Sequence, residues 1–532
     1  MKLIYNVNDK PKFGQLIVFA FQQLLAIMAA TLVVPVIINN GANLQGEDMM
    51  STAAALFGAG IGTLVYILFT KKKSPVFLGS SFAFLGSMAA AFAGAVTVAV
   101  GYLGLIIGAV FAGLVYVVIA LIVKVSGVNW INKLMPAVVI GPTVAIIGLS
   151  LAGNAIGDLG KANYVTNYDI NNYQIVEEAD AKNLEIIDDD GNYNLYEDIA
   201  TDGVVVIDKD IDLASKIDVK NVHTEFTVNK QDDVYSLTNT LGSPYVAIIC
   251  GLVTLFVTTL CSTYGKKTAK LIPFIIGICS GYLTASIFYV IGSLTDIPSL
   301  MIIDYSPITN LFANGFELKS VFAVPEFTFL TAIGGFKDID AAYIGSIAVS
   351  YVPVAFVVFA EHIADHKNIS TIIEKDLLEE PGLSRTLLGD GVGSMAGAVF
   401  GGCPNTTYGE SVGCVAITRN ASVYTIITAA VLAIIISFLS PFVAFVNSIP
   451  SCVMGGVCMA LYGFIAVSGL KMLKDVDLNE EKNLFTASVI LIAGIDGLSV
   501  TFGKVTLTSI ACALILGIIV NVMLSKKKVD AE

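Results

Sequence analysis

Apolar stretches of about 20 residues, each long enough to cross a bilayer as a helix, recur from Phe13 to Leu524. In hydrocarbon every backbone N–H and C=O must find its partner inside the protein, so such a chain is confined to bundled helices or a closed barrel. The strands of a barrel alternate in polarity, and these stretches do not. The expected fold is therefore an all-α polytopic membrane protein. A composition with 55% hydrophobic and 14% charged residues fits that class and excludes a soluble core of ordinary make-up. The opening MKLIYNVNDKPK is short and polar, and no small-residue cleavage site stands out after it. The first apolar stretch is accordingly read as a first helix rather than a removed signal.

Two stretches interrupt the pattern. Cys403 to Arg419, CPNTTYGESVGCVAITR, sets proline, asparagine and β-branched threonines before Tyr408-Gly409-Glu410, which favours extended backbone, and follows them with a segment that can be helical. Pro75 to Phe84, PVFLGSSFAF, has a similar grammar, with Gly79-Ser80-Ser81-Phe82-Ala83 matching Asn405-Thr406-Thr407-Tyr408-Gly409 by residue class. A second pair, PAVVIG at Pro136 to Gly141 and PSCVMG at Pro450 to Gly455, recurs in the same order. Two structurally repeated halves would produce both pairs. Counting the broken stretches gives fourteen spans. With that count, Lys71 to Lys73, Lys124, Lys133, Lys266, Lys267, Lys270, Lys367, Lys375, Arg385, Arg419, Lys471, Lys474 and Lys526 to Lys528 all fall on the side of the N-terminus. By the positive-inside rule that side is cytoplasmic, and the C-terminus shares it.

The net charge of -13 is local. Between Asp158 and Asp233 there are 19 acidic residues and 6 lysines, which leaves 24 of each sign elsewhere. This block, within an insert at 158–240, is expected outside the cell. The run Val204-Val205-Val206-Ile207-Asp208 suggests short strands, so the insert is either a small β-rich cap or a solvated linker. All eight cysteines lie in or beside apolar spans and none in the insert, so no disulfide framework is implied. With only His223, His362 and His366, and no CxxC or HExxH, no metal site or other cofactor is expected.

A carboxylate inside a span costs several kcal/mol unless it is paired or binds something. Glu410, one residue past the Tyr408-Gly409 break, either caps its own half-helix or belongs to a site. Glu361, in PVAFVVFAEHIADHKNIS, either opens a loop or is drawn inward by a helix that continues through HIADHKNISTII. In the second case Asp365 lies one turn on along the same face, and Asp365 and His366 could hold or pass a proton. Gln23 lines a site or makes an interhelical hydrogen bond. Asp390, among glycines 389, 391, 393 and 397, reads as close helix packing. Two carboxylates, backbone amides and the aromatic faces of Phe82 and Tyr408, without arginine or lysine, suit a neutral planar ring with N–H donors and C=O acceptors and repel an anion. No nucleophile with a base is arranged as in an enzyme, and no span is polar throughout as in a channel.

FQQLLAIMAATLVVPV, FLGSSFAF, AEHIADH, NTTYGESVGCVAITR and IPSCVMGGV resemble the bacterial uracil permeases of the nucleobase-ascorbate transporter family, also called nucleobase-cation symporter-2. The resemblance implies two inverted repeats of seven spans, with spans 3 and 10 part strand. It implies a core domain from residues 13–124 and 340–440 and a gate domain from 133–293, which includes the insert, and 441–524. It further implies a homodimer in the bacterial plasma membrane, with the lipid bilayer and a small nucleobase as partners and no nucleic acid. The activity implied is uracil import by proton symport with an elevator movement, with xanthine or another nucleobase as the near alternative and sodium as the alternative coupling ion. By the same resemblance Glu361 and Glu410 hold the pyrimidine, and Phe82, Tyr408 and Gly409 supply ring and backbone contacts. The family pattern has histidine where this chain has Gln23 and Asp365, and asparagine where it has Ser411, so the proton route is the part most altered, with Asp365 or His366 as substitutes.

Overall fold

The computed structural model describes residues 3–525 except 43, 45, 128–129, 131–134, 267, 314, 503–504 and, in the insert, 163–164, 169, 178–183, 185, 188–203, 213–216, 219–221, 223–226, 232–233 and 241. Lys133, His223, Lys267 and Lys526 to Lys528 lie outside the described residues.

The chain opens with α1 (Phe13–Gly41) and α2 (Thr52–Phe69), the latter started by Ser51, whose hydroxyl accepts from the Ala54 amide at 3.2 Å. A short strand β1 (Leu78–Ser80) leads through a single 3-10 turn into α3 (Leu85–Ala93), and α4 (Val98–Ser126) follows, capped by Thr97. Next come α5 (Ala137–Ser150), α6 (Ala152–Leu159), the insert, α7 (Pro244–Tyr264) and α8 (Pro273–Thr295). The second half repeats the theme with α9 (Ala341–Ile373), capped by Asp340, then α10 (Leu383–Gly401), β9 (Asn405–Thr407) and α11 (Gly409–Thr418). It closes with α12 (Val423–Ile436), α13 (Ser440–Asn447), α14 (Ser451–Lys471), α15 (Glu481–Ile495), a hairpin of β10 (Val500–Phe502) and β11 (Val505–Leu507), and α16 (Ser509–Ser525). Against the fourteen expected crossings, eight helices among the described residues are long and apolar enough to cross a membrane. The remaining segments are broken, short or, like α10, rich in glycine.

In the insert the described residues form β2 (Val165–Tyr168), β3 (Tyr173–Glu177), β4 (Ile186–Ile187), β5 (Val204–Asp208), β6 (Ile217–Asp218), β7 (Thr227–Gln231) and β8 (Val234–Thr240). They pair as β2-β8-β7, β3-β5 and β4-β6. Val205 and Ile207 pack in one apolar cluster and Val204 and Val206 in another. Burial of both faces explains an apolar run in place of strict alternation.

The helices fall into two packing groups. In one, α2 and α4 flank α10, α9 lies on α4, and α12 lies on α1 and α2. In the other, α14 is central to α5, α6 and α7, while α8 lies on α7 and α15 and α16 complete it against α5. Pro136 and Pro450 stand at the N-caps of α5 and α14, which pack on each other, so the PAVVIG and PSCVMG motifs each mark a helix start. The interface of α2 with α10 depends on small residues. A Cβ on Gly58 would stand 2.5 Å from the Gly397 carbonyl oxygen, and one on Gly393 would stand 2.7 Å from that of Gly62. The backbones of α2 and α10 thus touch along successive turns, as small-residue stripes allow.

β1 and β9 join the two halves. They run antiparallel, with Leu78 opposite Thr407, Gly79 opposite Thr406 and Ser80 opposite Asn405. The Ser81 amide donates to the Pro404 carbonyl at 2.9 Å and the Tyr408 amide to that of Phe77 at 3.2 Å, so the ladder is the same read from either strand. This corrects the alignment of the two motifs by one residue. Element for element, Leu78 corresponds to Asn405, and the N-caps Ser81 and Tyr408 correspond to each other. Ala83 then stands where Glu410 does. Residue class had matched Phe82 with Tyr408, but the end of a strand is set by its backbone hydrogen bonds, and Phe82 already lies in the helical turn.

Gly393→Leu is expected to force α2 and α10 apart and lower the melting temperature of the detergent-solubilised protein, at a cost of about 1–3 kcal/mol or more. Gly463→Ala, with no atom within 4 Å of the new methyl, is expected to leave it within about 0.5 kcal/mol; a thermal-unfolding scan compares the two.

Candidate functional site

Where β1 and β9 end, their helices begin, and the first N–H groups of each helix have no acceptor one turn back. A cavity of about 100 Å³ lies at these starts. Drug-sized sites occupy roughly 300–1,000 Å³, so this one suits a molecule of single-ring size. One wall comes from the first packing group: Phe82 and Ala83, then Glu361, Ala364, Asp365 and Asn368 on α9, and Thr406 with Tyr408-Gly409-Glu410. The other comes from the second group and, Ser468 apart, is apolar: Val144 and Ile147 of α5, Phe464 and Ile465 of α14, and Met472. Three carboxyl groups and no lysine, arginine or histidine line it.

The helix does continue past Glu361. α9 runs on to Ile373, which sets Glu361 about 18 Å from that end at 1.5 Å per residue. Glu361 and Glu410 are both half-buried and both face the cavity. The Glu410 carboxyl also bonds its own backbone N–H. Asp365, 7% exposed, accepts from Thr407 Oγ1 at 2.9 Å, which ties α9 to β9. Phe82 and Tyr408 are buried at the closed end, whereas Asn368, Gly409, Phe464 and Ser468 are exposed at the mouth. The exposed Asn368 places the opening on the C-terminal side of Glu361 along α9, the side of Lys367.

Tyr408 is fixed before any ligand arrives. Its hydroxyl donates to the Ser80 carbonyl at 2.6 Å, and its ring lies over Gly79, where a Cβ would stand 2.5 Å from two ring carbons. The Phe82 ring meets the edge of Tyr462 from α14 at 6.0 Å between centres.

Three residues singled out in the sequence lie outside the cavity lining. Gln23 is 2% exposed and donates through Nε2 to Ser411 Oγ, which also accepts the Phe77 amide at 3.0 Å. Of the two readings of Gln23, the geometry has the interhelical hydrogen bond, and Ser411 is its partner. His366, next to Asp365 and so about 100° around the helix, points away from the cavity to Tyr66. Asn368, Ser468 and the apolar wall were not found from sequence. Asn368 had a signal, since it continues the face of Glu361 and Asp365 at i+7; the apolar wall residues look like those of any span. Among the described residues no group of three or more His, Cys, Asp or Glu side chains converges as a metal-ligand set.

Comparison with known proteins gives a consistent result. A family model described as Permease family matches residues 14–176 and 233–503, interrupted within the insert. The uracil permease of Bacillus caldolyticus is 33% identical over 534 residues, covering 100% of this chain and 97% of that protein. That of Bacillus subtilis strain 168 is 33% identical over 531 residues, 99% and 96% of the two chains, and that of Escherichia coli K12 is 30% identical over 515, 96% and 92%. Among solved structures, the transmembrane domain of the cyanobacterial bicarbonate transporter BicA superposes with a TM-score of 0.51 at 13% identity, covering 97% of this chain and 100% of that one. The murine anion transporter Slc26a9 in its inward-facing state gives 0.57 at 9%, covering 97% and 69%. At such identities the likeness is one of fold alone.

Ser411→Ala would leave the buried Phe77 N–H and the Gln23 amide unpaired. It is expected to cost about 1–3 kcal/mol, read as a lowered melting temperature; an unchanged melting curve would show that the bridge does not hold α1 to α11.

Proposed function

The chain belongs to the Permease family, multi-pass membrane transporters rather than enzymes, and from that premise we propose that it is a uracil importer driven by proton symport. The observation that carries the reading is the cavity on which Glu361 and Glu410 converge without a basic residue. In it the carboxylates take the N–H edge of the base, and the amides at the helix starts take its carbonyl oxygens. Phe82 and Tyr408 flank the ring, and Gly409 leaves the backbone open to it. An anion would meet three acids there, so the architecture shared with anion transporters does not extend to their cargo.

The proposed topology has fourteen crossings in two inverted repeats of seven, with β1 and β9 as the strand parts of spans 3 and 10. Residues 13–124 and 340–440 form the core domain, and 133–293 and 441–524 the gate. The two packing groups support that division, and the apolar wall offered by the second group suits an elevator, because a polar site can slide along it without breaking hydrogen bonds. The lysine-bearing side, onto which the cavity opens, is the cytoplasm and holds both termini; the insert lies outside. The molecule is a homodimer in the bacterial plasma membrane. A proton moving inward with uracil gains about 2.3 kcal/mol per 100 mV, enough to concentrate the base roughly 50-fold. Sodium is the alternative ion and xanthine the alternative cargo.

Proteoliposomes holding the protein are expected to accumulate labelled uracil when an inward proton gradient is imposed. Glu361→Ala and Glu410→Ala are each expected to abolish this, and unlabelled uracil to compete better than xanthine. Uptake indifferent to both substitutions would remove the site.

A further inference from the structure

On the side of α9 away from the cavity lies a polar cluster that ligand binding leaves unused. His362, His366, Asp390, Thr386, Tyr66 and Ser74 are each 0% exposed. The two imidazoles stack with centres 4.0 Å apart. His362 Nδ1 is 2.6 Å from Asp390 Oδ2 and its Nε2 is 3.0 Å from Thr386 Oγ1. Asp390 Oδ1 has no hydrogen-bond partner among the described residues. His366 Nδ1 is 2.7 Å from the His362 carbonyl, which can only accept, so this nitrogen carries a proton. Its Nε2 is 2.6 Å from the Tyr66 hydroxyl, and that hydroxyl is 2.7 Å from Ser74 Oγ.

This chain of hydroxyls can run in either direction, because each hydroxyl both donates and accepts. With His366 neutral, Ser74 donates to Tyr66 and Tyr66 to Nε2. With His366 doubly protonated, Nε2–H donates to Tyr66 and Tyr66 to Ser74. Turning two hydroxyls accommodates the gain or loss of one proton, and no backbone moves. Ser74 is itself buried, but the residue before it, Lys73, pairs with Glu380 beyond the end of α2, so the hydroxyl chain runs toward the lysine-bearing face.

The charges nearby supply the reason for such a device. No lysine or arginine is among the buried described residues. The groups facing the two imidazoles are Tyr66 on α2, Tyr116 on α4, whose ring lies 6.3 Å from that of His362, and Asp390 on α10; Asp365 precedes His366 on α9 and leads to Glu361 and Glu410 at the cavity. Four carboxyl groups cannot all be ionised there without compensation. Two imidazoles are the available bases, and His362 is already committed to Asp390.

We propose that His366 is the residue that takes up the coupled proton and returns it to the lysine-bearing face through Tyr66 and Ser74, with His362 and Asp390 as its positioning residues. Its charge sits one residue behind Asp365, so the proton and the ligand are felt by the same carboxylates from opposite sides of α9. The inference rests on the uracil symport reading.

Its test uses the purified full-length chain in liposomes, with labelled uracil measured in two modes. In the exchange mode, external label is traded for internal unlabelled uracil and no net proton need cross. In the accumulation mode, a membrane potential and acid gradient are imposed. Wild type is expected to do both, reaching an accumulation of about 50-fold per 100 mV. His366→Gln, and Tyr66→Phe, which deletes one oxygen, are expected to keep exchange within about threefold while accumulation falls toward onefold and its pH dependence flattens. Variants that accumulate with the wild-type pH profile would overturn the proposal, as would variants that lose exchange and accumulation together. Wild-type protein that exchanges no uracil would overturn the symport reading itself and this inference with it.

Discussion

Three residues of antiparallel pairing hold this molecule's centre together. Extended backbone among membrane helices leaves its N–H and C=O groups facing out of the segment, and in a dry interior each unpaired one costs several kcal/mol. β1 and β9 are each other's remedy, and the bonds from Ser81 to Pro404 and from Tyr408 to Phe77 close the ladder at its two ends. The pairing also fixes where helix begins on each side. Phe82 and Gly409 are the first residues past the ladder, and both line the cavity where the strands stop. Neighbours lock the pair in turn: Asn405 Nδ2 donates to the Gly58 carbonyl at 3.1 Å, and Thr407 donates to Asp365.

The sequence was legible wherever a residue type carried an unavoidable cost. Glu410 beside a backbone break had to be explained, and it does reach the cavity. Glu361 was ambiguous by hydropathy, and the helical pattern through HIADHKNISTII left both readings open; the 33-residue helix of the structure draws the residue well inside. Pro136 and Pro450 marked real helix starts. The glycines around Asp390 marked real contact, although Asp390 itself turned out to serve His362.

What was not legible depends on direction rather than type. The motif alignment missed by one residue because small and hydroxyl side chains match at either register, while the ladder admits one. His366 and Asp365 are neighbours in sequence, yet a helix turns about 100° between them, so one faces the cavity and the other faces Tyr66. Gln23 is equally plausible as a ligand contact and as a tie between helices until its partner is known. The apolar wall of Val144, Ile147, Phe464, Ile465 and Met472 could not be told from lipid-facing residues, since burial against a ligand and burial against hydrocarbon select the same side chains. The broken and glycine-rich segments counted as crossings in the proposed topology lack the length and apolarity by which a span is recognised.

The division of labour between the two walls has a mechanical consequence. Apart from the Ser468 hydroxyl, the side chains able to make directional bonds to a ligand stand on the wall that bears the carboxylates, and that wall belongs to one packing group. The opposing wall contributes dispersion, which is shallow and nearly indifferent to small displacements along it. A ligand seated here is therefore bound to one group and merely covered by the other. Movement of the groups past each other would leave its hydrogen bonds intact and change only what covers it. The same asymmetry would be lost if the acids were shared between the walls, since every displacement would then have to break a charged contact in a medium where doing so is most costly. On the proposed elevator reading, concentrating the polar chemistry on one side of the cavity would separate recognition from motion.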